Sequence, residues 1–277
     1  VLMIGTDPDA DLTGIVVKDK SGEYVTLSGN QVGVLLTDYI ITAKKLTNTM
    51  PEHPAVLKSI VTTEMARAAA NKNGVECFET FTGFKFLAEK IKQFETTGSH
   101  QYIFAFEESY GYLCGDYARD KDAVTASMLI AEMAAYYRTQ GKTLYDAMEE
   151  MYEKYGYYCE QTISITMPGV SGLQRMKELM AELREKPLTK VGADPIEYTR
   201  DYMPGTRTCM ADGKVEQMEL KGQNVMYYEL AGGTTFIIRP SGTEPKVKVY
   251  IMAKGDSKAD AAAKVEALVA AAKEIVK

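Results

Sequence analysis

Short apolar runs alternate with polar turns from the start of the chain. Val1–Ile4 and Gly14–Val17 read as strands on either side of the polar stretch Gly5–Asp11, and Tyr24–Leu27 reads as a third. From Gln31 to Ile41 the apolar residues Val32, Leu35, Leu36 and Tyr39 recur at helical spacing, with Ser28 or Asn30 as cap. Thr47–Pro54 carries two prolines and no periodicity, which marks a boundary. Strand and helix patterns then alternate. Ala55–Thr62, Val75–Phe78 and Tyr102–Phe106 read as strands, and Thr63–Lys72, Lys85–Phe94, Ala123–Tyr137 and Thr143–Tyr155 as helices. That alternation predicts a parallel sheet with crossover helices.

After Gly156 the pattern changes. Gln161–Met167, Tyr198–Met203, Val225–Leu230, Thr235–Ile238 and Val247–Met252 read as strands, with helices at Val170–Lys186 and at the alanine-rich Lys258–Ile275. Strands grouped this way predict an α+β domain. The expected organisation is 1–46, 47–156 and 157–277.

At 277 residues the chain is comfortable for two domains, and 45% hydrophobic with 25% charged residues is a globular composition. An excess of 38 acidic over 32 basic residues, net −6, argues against a nucleic-acid surface. No run is long enough to cross a bilayer, and Val1–Ile4 is too short for a signal peptide, so the cytoplasm is the expected setting. Cys77, Cys114, Cys159 and Cys209 show no Cys-x-x-Cys spacing, so reduced thiols are expected rather than a zinc site or a disulfide framework.

Three polar stretches carry candidate chemistry. Asp7, Asp9 and Asp11 place hard oxygen ligands on one tight turn that Pro8 helps to fix, suited to a divalent cation, usually Mg2+ where phosphate is handled. A solvated acidic turn is the plainer reading; a calcium loop is weaker, because the glycine and glutamate of an EF-hand are missing. Glu107-Glu-Ser109 follows a buried-type strand and can hydrogen-bond a pair of sugar hydroxyls, against the alternative of a solvated acidic turn. In Arg239-Pro-Ser-Gly-Thr-Glu-Pro-Lys246, Arg239 offers a planar donor fork and Ser241 and Thr243 offer hydroxyls. Gly242 lets backbone N–H groups approach an anion, and Lys246 adds a point charge; the competing reading is an ordinary hairpin turn.

With Thr80-Phe-Thr-Gly-Phe-Lys85 at another strand end, these stretches stand in the order of the motifs of the α-D-phosphohexomutases, and the chain resembles that phosphoglucomutase and phosphomannomutase family over essentially its whole length. The resemblance implies an α/β/α mixed-sheet domain, a C-terminal α+β domain like the TATA-box-binding protein, and an N-terminal remnant of a further α/β domain. It implies that Asp7, Asp9 and Asp11 hold Mg2+, that Glu107 and Ser109 read the 3- and 4-hydroxyls of a hexose phosphate, and that Lys85 reaches the substrate. The phosphate then falls to Arg239, Ser241, Gly242 and Thr243. Arg119 and Lys121, in an Arg-acid-Lys-Asp stretch, are second-rank candidates along with Lys246.

The Glu-Glu-Ser form resembles enzymes of the glucose and mannose kind. Leu12 stands where the family has an arginine. Thr97-Gly-Ser-His100 superficially resembles the phosphoserine signature but sits in a polar connection before a strand, and reads as a surface turn. The phosphoserine is expected in N-terminal domains upstream, so the chain is expected to be an inactive fragment of a mutase that interconverts hexose 1- and 6-phosphates through a bisphosphorylated sugar. A non-catalytic phosphosugar-binding module and a phosphopentomutase are the alternatives.

Overall fold

The computed structural model describes residues 1–242 and 244–276, and the chain divides into two compact units, Val1–Gly156 and Tyr157–Lys277. Among the described residues no helix is long and apolar enough to cross a membrane.

The first unit opens with an antiparallel sheet of β1 (Leu2–Thr6), β2 (Thr13–Lys18) and β3 (Tyr24–Leu27). Strict alternation along β2 turns Thr13, Ile15 and Val17 inward. Helix α1 (Gly29–Leu46) starts at Ser28, which accepts from Gln31 N while Gln31 Oε1 accepts from Ser28 N, a reciprocal cap.

Next come β4 (Pro54–Ser59), α2 (Glu64–Lys72), β5 (Glu76–Thr80), α3 (Phe84–Thr97), β6 (Gln101–Glu107) and β7 (Gly111–Leu113), then α4 (Ala123–Thr139) and α5 (Leu144–Tyr155). The sheet order is β5-β4-β6-β7; β4 runs parallel to β5 and β6, and β7 returns antiparallel to β6. Helices cover both faces, which is why Ala55, Val56 and Leu57 form a continuous apolar run instead of alternating. One face packs Ala55, Leu57 and Ala105 under Leu87, Ile91 and Phe94 of α3. The other presents Phe106 to Gly33 of α1 so closely that an added methyl there would overlap the ring. This is the three-layer α/β/α arrangement.

The second unit holds β8 (Tyr157–Thr166), α6 (Gly169–Glu185), β9 (Lys190–Val191), β10 (Asp194–Asp201), β11 (Thr206–Cys209), β12 (Val215–Gln217), β13 (Met226–Leu230), β14 (Thr234–Pro240), β15 (Lys246–Gly255) and α7 (Lys258–Ile275). Its antiparallel sheet runs β12-β11-β10-β13-β14-β15-β8, with β9 on β10. Phe236, Ile238, Val247, Val249 and Ile251 share a core with Leu179 and Leu183 of α6 and Val265 and Leu268 of α7. Helices therefore lie with one face of the sheet, and the α+β expectation holds.

Four short strands escape the periodicity, one of them the two-residue β9. β11, half-buried throughout, and β12, exposed, are polar strands near the sheet edge with no apolar face to reveal them. β7 is only three residues long, and it folds the segment after Glu107 into a hairpin. The expected strand Ala55–Thr62 ends at Ser59, where Thr62 N donates to Ser59 O at 3.1 Å and turns the chain.

Candidate functional site

The acidic turn joins β1 to β2, whose register closes on Thr6 opposite Thr13. Asp7 Oδ1 accepts from Asp11 N at 3.1 Å and Leu12 N at 3.0 Å, and Ala10 sits at φ 56°. The backbone bond from Leu12 is the main cause that holds the Asp7 carboxyl below its ordinary range, helped by the bond from Asp11. One oxygen from each of Asp7, Asp9 and Asp11 lies within 4.8 Å of the others. Three hard anionic donors this close fit a divalent cation such as Mg2+.

Three contacts clamp this turn to the α/β/α scaffold. Ala123 N, at the start of α4, donates to Ala10 O at 3.0 Å. Thr13 N donates to Tyr110 O at 3.0 Å, beside a bridge between Leu12 and Gly111. Lys121 Nζ lies 2.7 Å from Asp11 Oδ2. Burial alone would lower the Lys121 pKa, but the bond to Asp11 outweighs it and the ammonium is held above its ordinary value.

Tyr110 belongs to the β6–β7 hairpin, so the carboxylate turn and the Glu107–Ser109 segment are neighbours. Glu107 is buried at the end of β6, and its Oε1 accepts from Gly83 N at 2.7 Å. Gly83, at φ 116°, precedes α3 and needs the conformational freedom of glycine there. One carboxylate thus ties the Thr80–Lys85 stretch to the hairpin. Lys85, in the first turn of α3, is exposed with its Nζ 4.8 Å from the Phe86 ring centroid. Glu108 Oε2 lies 3.4 Å from Ser59 Oγ and 3.3 Å from Thr62 Oγ1, while Ser109 is exposed at the tip. Arg119 is engaged elsewhere, 2.6 Å from Glu95 on α3. Thr97-Gly-Ser-His100 is the turn between α3 and β6, at the opposite end of β6 from Glu107.

In the second unit Arg239 and Ser241 border the β14–β15 connection. Ser241 N donates to Lys246 O at 2.8 Å, and Glu244 N donates to Ser241 Oγ at 3.3 Å. Gly242 is exposed, and Thr243 lies outside the described residues. Lys246 pairs with Glu244, a bond that holds the Glu244 carboxyl below its ordinary range. Arg239 stands directly opposite Lys248 in the ladder, and Lys248 opposite Ser164 of β8. Directly opposed residues share a face, so two cations meet there; Glu244 is near enough for Lys248 to help lower its carboxyl, and Arg239 and Lys248 form no salt bridge among the described residues. An anion placed between them would relieve the repulsion.

Sequence reasoning missed Lys248, Ser59 and Thr62. The alternation Lys246-Val-Lys248 carries a signal for the first. The hydroxyls at the end of β4 are recognised only through their contact with Glu108.

An α/β/α unit with polar loops at strand carboxyl ends and an antiparallel unit with a cationic hairpin define a two-part α/β protein. The family model for phosphoglucomutase/phosphomannomutase α/β/α domain III matches residues 28–155, and that for the C-terminal domain of the same family matches residues 207–271. A phosphoglucomutase of Staphylococcus aureus strain MRSA252 is 36% identical over 270 residues, covering 97% of this chain and 47% of that protein. Among solved structures, the open form of the Paramecium phosphoglucomutase parafusin aligns with a TM-score of 0.66 and 17% identity over 98% of this chain and 45% of the other. A phosphomannomutase described as putative from Thermus thermophilus aligns at 0.63 with 16% identity, over 99% of this chain and 46% of the other. The chain belongs to the phosphoglucomutase and phosphomannomutase family, the α-D-phosphohexomutases. It spans about half the length of the curated relatives it matches.

Proposed function

We propose that the chain is the cation-, sugar- and phosphate-holding part of a mutase that interconverts the 1- and 6-phosphates of glucose or mannose through a bisphosphorylated sugar. In this reading residues 1–46 carry the metal edge, 47–156 read the sugar and 157–277 hold the phosphate. Asp7, Asp9 and Asp11 hold Mg2+, which when bound neutralises charge on the phosphoryl group. Glu107 and Ser109 hydrogen-bond two sugar hydroxyls, and Lys85 reaches the substrate from α3. Arg239, Ser241 and Gly242 hold the phosphate that is not being transferred. Thr243 belongs to the same group by its place in the chain.

One observation carries the reading. The carboxylate turn and the hydroxyl-reading hairpin are joined at Thr13 N to Tyr110 O, 3.0 Å, and by the bridge between Leu12 and Gly111. A cation site and a sugar site held this rigidly together suit phosphoryl transfer, where positioning and charge neutralisation dominate. The phosphoserine is placed outside this sequence, so the isolated chain binds hexose phosphate weakly and does not turn over. The four free thiols accord with a cytoplasmic setting.

Titration calorimetry with glucose 1-phosphate and Mg2+ tests the binding, with inorganic phosphate and ribose 1-phosphate as controls. Glu107→Gln is expected to weaken glucose 1-phosphate binding by roughly tenfold, the loss of one charge-assisted hydrogen bond, and to leave inorganic phosphate unaffected. Equal affinity for glucose 1-phosphate and inorganic phosphate would refute sugar reading by this chain. A coupled assay showing full glucose 1-phosphate conversion would refute its dependence on an outside phosphoserine.

A further inference from the structure

Beneath the β6–β7 hairpin lies a charge cluster that the roles above leave unused. Lys58, next to last in β4, is fully buried. Its Nζ donates to Glu64 Oε1 at 2.9 Å, Glu79 Oε1 at 3.0 Å and Thr62 O at 2.9 Å, with Ser59 O at 3.4 Å. Arg67 of α2 closes the ring, with Nε 2.9 Å from Glu64 Oε2 and Nη2 2.8 Å from Glu79 Oε1. Its Nη1 donates to Cys77 O at 2.7 Å, which anchors the cluster to β5. Two cations and two carboxylates make a set with no net charge. Burial disfavours the Lys58 ammonium, and Glu64 and Glu79 more than restore it.

Such a quartet is weak evidence for stability, because apolar residues of similar volume often serve as well in a core. An apolar side chain has no donor, however, and Lys58 donates to the Thr62 carbonyl in the turn that follows β4. Ser59 and Thr62 are both fully buried in that turn, with hydroxyl oxygens 2.8 Å apart. Thr63 N donates to Asn30 Oδ1 of α1 at 3.1 Å, fixing the far side of the turn. The two hydroxyls meet Glu108 Oε2, and Glu108 N donates to Thr62 Oγ1 at 3.2 Å. Behind them α1 leaves no slack, since a methyl on Gly29 would overlap the Glu108 carbonyl. Glu108 is the residue between Glu107 and Ser109.

We propose that Lys58 is a positioning residue: with Glu64, Glu79 and Arg67 it fixes the Ser59–Thr63 turn, whose hydroxyls hold Glu108 and thereby set Glu107 and Ser109 for sugar hydroxyls. Its sugar-binding consequence rests on the function proposed above; its mechanical part does not. The mechanical part is read by amide hydrogen exchange at residues 108–112 of the 277-residue chain, and the consequence by calorimetry with glucose 1-phosphate and inorganic phosphate.

Thr62→Val removes the hydroxyl and keeps the volume. It is expected to speed exchange at 108–112 about tenfold and to weaken glucose 1-phosphate binding about tenfold, with inorganic phosphate binding unchanged. Thr62→Ser restores the hydroxyl and is expected to rescue both. Lys58→Met is expected to reproduce the Thr62→Val pattern, and wild-type exchange at 108–112 in that variant overturns the role of Lys58; where it fails to fold, Glu64→Gln, which removes one of the charges that hold the Lys58 ammonium, is read in its place. Exchange at 108–112 that stays at the wild-type rate in Thr62→Val, or that rises evenly across the whole parallel sheet, overturns the proposal. If wild type fails to distinguish glucose 1-phosphate from inorganic phosphate while exchange rises only at 108–112, the hydroxyl-reading role falls and the positioning by Lys58 stands.

Discussion

The Lys121 ammonium reaches the acidic turn from the segment that leads into α4 and stops 2.7 Å from Asp11 Oδ2, where a bound cation would also reside. Side-chain exposures of 23% and 30% make this a partly buried pair, so it is worth more than a solvated one and less than a core one. Lys121→Met removes a competitor for Asp11. Mg2+ is expected to bind about fivefold more tightly to that variant, the equivalent of roughly 1 kcal/mol. Titration calorimetry with MgCl2 reads the change, and unchanged or weaker affinity would show that the ammonium and the metal do not compete.

Gly33 of α1 tests the packing of the three layers. In a helix interior alanine ordinarily outperforms glycine by up to about 1 kcal/mol. Here a methyl would overlap the ring of Phe106, itself fully buried. Gly33→Ala is therefore expected to cost about 2–3 kcal/mol in urea denaturation. Adding Phe106→Leu should recover part of that loss, because the two changes share one contact.

Much of this architecture is legible in the residue pattern, and the illegible part has a common cause. The unbroken apolar runs of β4 and β6 announce a sheet covered on both faces, and the two candidate caps Ser28 and Asn30 mark the start of α1. The aspartates of the acidic turn are legible because their ligand spacing is local. By contrast, Glu107 bonding to Gly83 and Glu108 meeting Thr62 join segments more than 20 residues apart, and no local period encodes such a register. Lys248 is silent for the same reason: its meaning comes from standing across from Arg239. The exposed pair of Arg119 with Glu95 on α3 is likewise a contact between segments 24 residues apart.

Glu229 sets an acid-sensitive element in the second unit. Arg207 grips both its oxygens at 2.8 Å, and Arg200 Nε lies 2.6 Å from Oε1. Burial alone would raise the Glu229 pKa; the two guanidinium groups outweigh burial and hold it below the ordinary 4.5. A carboxylate depressed in the folded state contributes stability that is complete above the unfolded value and fades as pH falls through the folded one. Glu229→Gln is expected to lose about 2 kcal/mol at pH 7. The gap from wild type should close as pH drops below about 4.5 in urea titrations. A gap that stays constant from pH 7 to pH 3 would show that the charge of Glu229 contributes nothing.

Arg239 and Lys248 make a prediction whose sign separates an anion site from an ordinary hairpin. Like charges directly opposite in a ladder destabilise by roughly 0.2–1 kcal/mol, so Lys248→Ala should raise the melting temperature in phosphate-free, low-salt buffer. Added phosphate stabilises wild type by RT ln(1 + [L]/Kd), about 1.4 kcal/mol at ten times Kd. Lys248→Ala should shrink that gain and Arg239→Ala should nearly abolish it. The two effects on Lys248→Ala therefore run in opposite directions: more stable without the anion, less responsive to it. A hairpin with no anion role predicts no phosphate response in any of the three proteins. Should Lys248→Ala instead lose stability without phosphate, the two cations are not repelling one another, and the hairpin holds no charge waiting to be neutralised.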